Sequence, residues 1–317
     1  MQRLILSGLC ALLLGMFPRP LSAQDVVTEA LAAFSPQTIR IEYSSPAKLR
    51  KLPNYQNLHE KYLGPRLQSL EGSLGALGLR EEDINDLVLG WQAGKSEMDL
   101  YGLASGRFDA KGLADRAATQ GITPTPLVGQ VAYCLQAGMA GTCVVALNDS
   151  LGAFGSLSSL TALLETRGGQ SPSLSSDERF SRLVGTVNRD APIWGIAVGP
   201  AVGDWFRGWM PAQGNLKLDW GRVFEKVDSL VYTLDAGDKA NLNLKLDCAT
   251  QEDAASLRQV LEGLKLAQQM AWQNQNPNRP NPVEAVRVSQ DTRQITMQVT
   301  TGYADLELAG GAGAAKN

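Results

Sequence analysis

Two stretches of this chain carry the same apolar pattern, and a chain that repeats itself in this way is constrained to fold as related units. They are INDLVLGWQAGKSEMDLYGLASGRFDAKGLADRA, starting at Ile84, and VDSLVYTLDAGDKANLNLKLDCATQEDAASLRQVL, starting at Val227. Ile84, Leu87 and Val88 match Val227, Leu230 and Val231, and Ala93-Gly94 matches Ala236-Gly237, at an offset of 143. After one inserted residue, Met98, Leu100, Ala110 and Leu113 match Leu242, Leu244, Ala254 and Leu257. Each copy reads strand, Ala-Gly turn, strand, helix.

The second copy has the cleaner periods. Leu242, Leu244, Leu246 and Cys248 alternate with Asn241, Asn243, Lys245 and Asp247, so one strand face is buried and the other solvated, the antiparallel signature. Thr250 followed by Asp253 makes a capping-box helix start. Leu257, Val260, Leu261, Leu264 and Met270 then mark a helical stripe, which the amide- and proline-rich NQNPNRPNP ends in a loop.

The matching extends outward. Ile39, Ile41 and Tyr43 alternate before Ser44-Ser45-Pro46, a capped helix start with proline in the first turn, and APIWGIAVGPAVGDWF repeats that order. A hairpin follows each repeated helix: the cysteine hairpin first, then Val283–Val288 with Ile295–Val299. Each half therefore reads β-α-β-β-α-β-β, giving an α+β fold that duplicates one unit, with mainly antiparallel sheets covered on one face by helices. Copy one adds a helix with Leu67, Leu70, Leu74 and Leu77 on one face. One or two further helices, Leu157–Glu165 and Ser176–Val187, are expected between the copies. The expected organisation is a leader over 1–23, a first repeat over 24–166, a linker over 167–177, a second repeat over 178–308 and a tail over 309–317.

The leader rests on Arg3, the apolar run Leu4–Phe17, the breaker Pro18–Pro20 and the small residue Ala23, the pattern of a secretory signal. The run is shorter than the roughly twenty residues a membrane span needs, and no later segment supplies one. Loss of the leader removes Arg3 and Arg19 but no acid, so the formal charge moves from −3 to −5. A mildly acidic chain without a basic block offers nucleic acid no electrostatic footprint. An exported protein in periplasm or extracellular space is expected, where disulfides persist. If Gly138-Met139 forms a two-residue turn, Cys134 falls opposite Cys143 in a non-hydrogen-bonded pair, where strands approach most closely, and a bridge is expected. Cys248 is left as a buried thiol.

Catalytic motifs fail individually. Gly90-Trp91-Gln92-Ala93-Gly94-Lys95-Ser96 resembles a phosphate-binding loop but has one residue too few between its glycines, and a strand pattern follows it where that loop needs a helix. Ser45-x-x-Lys48 has the nucleophile–lysine spacing of penicillin-recognising enzymes without their supporting motifs. His59 is the single histidine, which excludes paired-histidine metal sites. No Cys-x-x-Cys, calcium loop or Gly-x-Ser-x-Gly elbow is present. No cofactor and no metal are expected.

Four of the six tryptophans fall between residues 194 and 220. Trp194, Trp205, Phe206, Trp209 and Trp220 form an aromatic set that either fills a core or serves as a platform for a partner or small apolar ligand; Trp91 is a lesser candidate. The leading expectation is an exported, non-catalytic binding or interaction protein. Its rivals are a periplasmic hydrolase without a recognisable motif and an envelope structural subunit that oligomerises through an open sheet face or edge.

Overall fold

The computed structural model describes residues 23–52, 55–56, 71–72, 74–93, 98–135, 141–209 and 218–303. His59, Leu67 and Leu70, and the tips 94–97 and 136–140 of two hairpins lie outside the described residues, as do the leader before residue 23 and the tail after 303. Twelve strands form one sheet: β1 (Thr38–Ser44), β2 (Ile84–Ala93), β3 (Met98–Gly106), β4 (Pro124–Leu127), β5 (Gln130–Cys134), β6 (Thr142–Asn148), β7 (Leu151–Ser156), β8 (Ile193–Val198), β9 (Val227–Ala236), β10 (Ala240–Cys248), β11 (Val286–Asp291) and β12 (Gln294–Thr301). The helices are α1 (Ala23–Ala33), α2 (Pro46–Leu49), α3 (Ala110–Thr119), α4 (Leu157–Arg167), α5 (Glu178–Val184), α6 (Ala201–Trp209), α7 (Trp220–Val223) and α8 (Gln251–Gln275).

The strand order is β11-β12-β10-β9-β8-β1-β2-β3-β7-β6-β5-β4, and the pairings are antiparallel throughout. Read outward from the middle, one side runs β1-β2-β3-β7-β6 and the other β8-β9-β10-β12-β11. The two sides join where β1 pairs with β8, Ile41 opposite Ile196 and Tyr43 opposite Trp194. The architecture is thus α+β, a large antiparallel sheet with helices packed on it.

Pleat alternation sorts the packing. Helices α3, α6, α7 and α8 cover one face. There Ala197, Trp205, Phe206, Phe224, Leu230, Tyr232, Leu244, Leu246, Leu257 and Leu261 form the core of the second half, while Leu77, Leu113, Tyr133 and Val144 form that of the first. Burial of rings such as Phe206 and Phe224 stabilises by roughly 1.5–3 kcal/mol each. On the opposite face α1, α4 and α5 cover the middle and the first half, burying Phe34, Tyr43, Tyr101, Leu103, Leu160, Phe180 and Trp194. Phe34 meets Tyr101 edge-on at 4.8 Å. Over β10 that second face exposes Asn241 and Lys245, with Asn243 partly buried between them.

Several expectations need correcting. Val260 and Met270 of α8 are exposed, while Leu257 and Leu261 carry its buried face. The Ser45 side chain does not cap α2; it is buried and its hydroxyl donates to the Asn85 carbonyl at 3.3 Å. The sequence matching places an extra residue in the second hairpin, yet the registers Ala93 opposite Met98 and Ala236 opposite Ala240 make the second turn one residue shorter. Strands β4 and β7 were not anticipated. The hairpin that matches β11–β12 in position is β6–β7, not the cysteine hairpin β5–β6.

Candidate functional site

The cysteine expectation is met. Cys134 lies opposite Cys143 and the two are bonded. Next to them the Leu135 amide donates to the Thr142 carbonyl at 2.8 Å, which leaves the cysteines in the non-hydrogen-bonded position where strands are closest. Cys248 is a buried free thiol, pushed up to about 11 by burial first and then by Asp253, Asp247 and Asp228. Held as a thiol at neutral pH, it is a poor nucleophile.

The aromatic set separates. Trp194 is 1% exposed, Trp205 2% and Phe206 4%, so packing consumes all three and none presents a surface. Trp194 stacks on Tyr43 at 5.5 Å on one face of the sheet. On the other, Trp205 lies 4.9 Å from Phe206 and 4.9 Å from Tyr232, and Phe206 stacks on Phe224 at 4.0 Å. Gly203 makes this possible, since a Cβ there would stand 3.0 Å from the Gly221 Cα. Trp220 and Trp91 are half-buried. Trp209 ends α6, and its side chain lies outside the described residues.

Where β1 meets β8 the same face gathers the charged groups that sequence reading missed. Arg40 and Glu42 alternate with the apolar residues of β1 and read as solvated, yet their side chains are only 13% and 22% exposed. Arg40 Nη2 donates to Glu42 Oε2 at 2.9 Å, and the Tyr232 hydroxyl donates to the same oxygen. Glu42, Gly195 and Tyr232 sit in one cross-strand row. Tyr232 reaches Glu42 by lying across Gly195, where a Cβ would come within 2.4 Å of the ring. The Arg40 guanidinium stands 4.0 Å from the Trp91 ring centre, a cation–π contact. Burial works to lower the Arg40 pKa, but Tyr232 and Glu42 outweigh it and hold the guanidinium above its ordinary value. Burial, then the Glu42 charge, pushes the Tyr232 phenol well above its own.

Behind β1 a second polar cluster is neutral in its donors. Tyr43 donates to Asp86 at 2.7 Å and Ser105 to the same carboxyl at 3.2 Å. Tyr101 donates to Thr38 at 2.6 Å, while Thr38 donates to the Ser35 carbonyl. At one end of the sheet an open groove of about 370 Å³ is lined by Lys48, Asp190, Pro192, Asp235 and Asn241. Lys48 there donates to the Asp190 carbonyl at 3.0 Å, and the Ser45 hydroxyl is directed to Asn85, so the Ser-x-x-Lys pair is engaged elsewhere. The strand that follows the Gly90–Ser96 stretch, β3, also removes the phosphate-loop reading. Among the described residues no group of three or more His, Cys, Asp or Glu side chains is placed to hold a metal ion, and no helix is long and apolar enough to cross a membrane.

These features define a class, an α+β protein built on one twelve-stranded antiparallel sheet whose middle carries a nearly buried ion pair. The fold is shared with TP0453. Crystal form III of that protein matches with a TM-score of 0.52 at 10% identity, covering 89% of this chain and 98% of TP0453. Crystal form I matches at 0.49 and 11% identity, covering 89% and 96%. At such identity the likeness is one of fold alone. No protein-family model matches the chain, and no curated protein does.

Proposed function

We propose that this is an exported protein that binds a partner or small apolar ligand without transforming it, built from a duplicated β-α-β-β-α-β-β unit over 24–166 and 178–308. The observation that carries the binding reading is the state of the middle of the sheet. Its polar groups meet one another, Arg40 and Tyr232 both bonding to Glu42, while Trp91 beside them is only half-buried. Among the described members of the aromatic set, Trp91 and Trp220 keep area to offer a ligand, with Trp91 next to the seam where β1 meets β8, and aromatic faces suit apolar recognition.

Duplication is supported by the matching strand order and by matched hydrogen bonds. Gly106 N–H donates to the Ser150 carbonyl and Arg107 N–H to that of Asp83; Cys248 N–H donates to the Arg293 carbonyl and Ala249 N–H to that of Lys226. A buried Ser105–Asp86 bond in one half has a Ser229–Asp247 bond, with the residue types exchanged between strands, in the other. Export is supported by the leader pattern and by the disulfide, which persists in oxidising compartments.

The test is a titration of the mature protein with 8-anilinonaphthalene-1-sulfonate as an apolar probe. Saturable fluorescence enhancement that weakens in Trp91→Ala or Trp220→Ala supports the reading; enhancement unchanged in both variants removes these residues from the contact. Mass measurement of the secreted chain checks the leader, with a mature N-terminus at Gln24 expected.

A further inference from the structure

The two edges of the sheet are built differently. At the first edge, β4 joins β5 through a two-residue turn with Leu127 opposite Gln130. The closing pair of such a turn is hydrogen-bonded across the hairpin, so Leu127 and Thr125 bond inward and the outward positions are 126 and 124. Both are proline, which has no N–H to offer a further strand. That edge is closed.

At the other edge, β11 joins β12 through Thr292-Arg293 with Asp291 opposite Gln294. The same parity turns Asp291, Ser289 and Arg287 inward to β12 and leaves the amides and carbonyls of Val286, Val288 and Gln290 pointing out. None is proline, and β11 ends the sheet. A row of free main-chain groups is a template for another strand. The side chains indicate which strand. In an antiparallel pairing of β11 with itself, outward groups meet only when the paired residue numbers have the same parity. Of those registers, one sets Arg287 opposite Asp291, Ser289 on the dyad and Val288 hydrogen-bonded with Gln290. It gives two Arg–Asp pairs on the solvated face, in non-hydrogen-bonded positions where side chains are closest.

We propose that β11 is a self-association edge, whose partner is a second copy of this chain paired antiparallel about Ser289. The two sheets then continue into one. The inference is independent of ligand binding at the seam. Five paired residues a side make a small interface of the weak, concentration-dependent class, so association belongs at high protein concentration.

Sedimentation equilibrium of the mature protein tests this, with far-ultraviolet circular dichroism to confirm folding. A monomer–dimer equilibrium is expected. Arg287→Asp and Asp291→Arg should each weaken it about tenfold by setting like charges opposite. An equimolar mixture of the two variants, and the double reversal in one chain, should each restore it. Ser289→Cys should form an intermolecular disulfide across the dyad under mild oxidation, Cys248 being buried. A chain that stays monomeric at every concentration overturns the proposal. So does a dimer that neither charge reversal weakens, or one lost when residues 304–317 are deleted.

Discussion

The carboxyls buried on the two faces around strand β1 are answered by different physics, and Arg40 Nε is left without a hydrogen-bond partner among the described residues. On one face Glu42 is answered by a charge, Arg40, and by the Tyr232 phenol. On the other, Asp86 is answered by the hydroxyls of Tyr43 and Ser105. A carboxyl held by neutral donors loses hydrogen bonds when disturbed. A carboxylate held by a guanidinium leaves an uncompensated charge behind, so the first face is the more brittle.

The largest effect therefore belongs to Glu42→Ala, which strands Arg40 in a nearly closed environment. A loss of about 3–5 kcal/mol in urea unfolding is expected. The paired replacement Arg40→Met with Glu42→Leu removes both charges and should recover most of that loss. If the double variant is as unstable as the single one, the ion pair is not what makes this face brittle.

Alkaline pH probes the same contrast through tyrosines. Tyr101, on the Asp86 side, is 2% exposed, and burial pushes its phenol up to about 12. Because the folded value lies above the unfolded one, the stabilisation is fully present below about pH 10 and is lost as pH rises towards 12. The linkage amounts to roughly 2–3 kcal/mol by pH 12. Tyr101→Phe should flatten the fall in stability over this window. Absorbance titration should find Tyr101 ionising before Tyr232, whose neighbour Glu42 adds a charge that Tyr101 lacks. The reverse order would contradict the contrast between the faces.

Asp86→Ala comes next. It leaves the Tyr43 hydroxyl buried without its acceptor, at a cost of about 1–3 kcal/mol, smaller than that of Glu42→Ala because no charge is stranded. Equal losses for the two substitutions would show that burial, and not charge, governs both sites.

Much of this fold was legible because local pattern and tertiary environment agree. The alternation in β10, the Thr250 start of α8 and the opposition of Cys134 to Cys143 are local features, fixed by period, cap chemistry and turn length. Arg40 and Glu42 were passed over for the opposite reason. TIRIEYS alternates as a half-solvated strand does, but the face that holds Arg40 and Glu42 is the one α6 packs on, from more than 150 positions away in the chain, and no local pattern carries that. The aromatic set was ambiguous on the same ground. Its spacing on α6 was visible, whereas the fit of Trp205 onto Tyr232 depends on the neighbouring strand and on Gly195. Strand β4, with two prolines, hid because proline argues against strands except at an edge, and an edge is defined only once the sheet is assembled.

The smallest expected effect is the most informative about function. Trp91 faces Arg40 at 4.0 Å but remains half-buried, so Trp91→Leu should lose about 0.5–1 kcal/mol of cation–π stabilisation while keeping apolar cover. A double-mutant cycle with Arg40→Met, made on the Glu42→Gln background so that no carboxylate is stranded when Arg40 is removed, isolates the coupling between ring and guanidinium. Coupling of that size makes Trp91 a structural lid on the ion pair. Coupling near zero releases the ring from Arg40 and leaves its exposed surface without a structural purpose. In that case the apolar probe should lose affinity in Trp91→Leu although stability barely changes, which separates a ring kept for packing from one kept for a ligand.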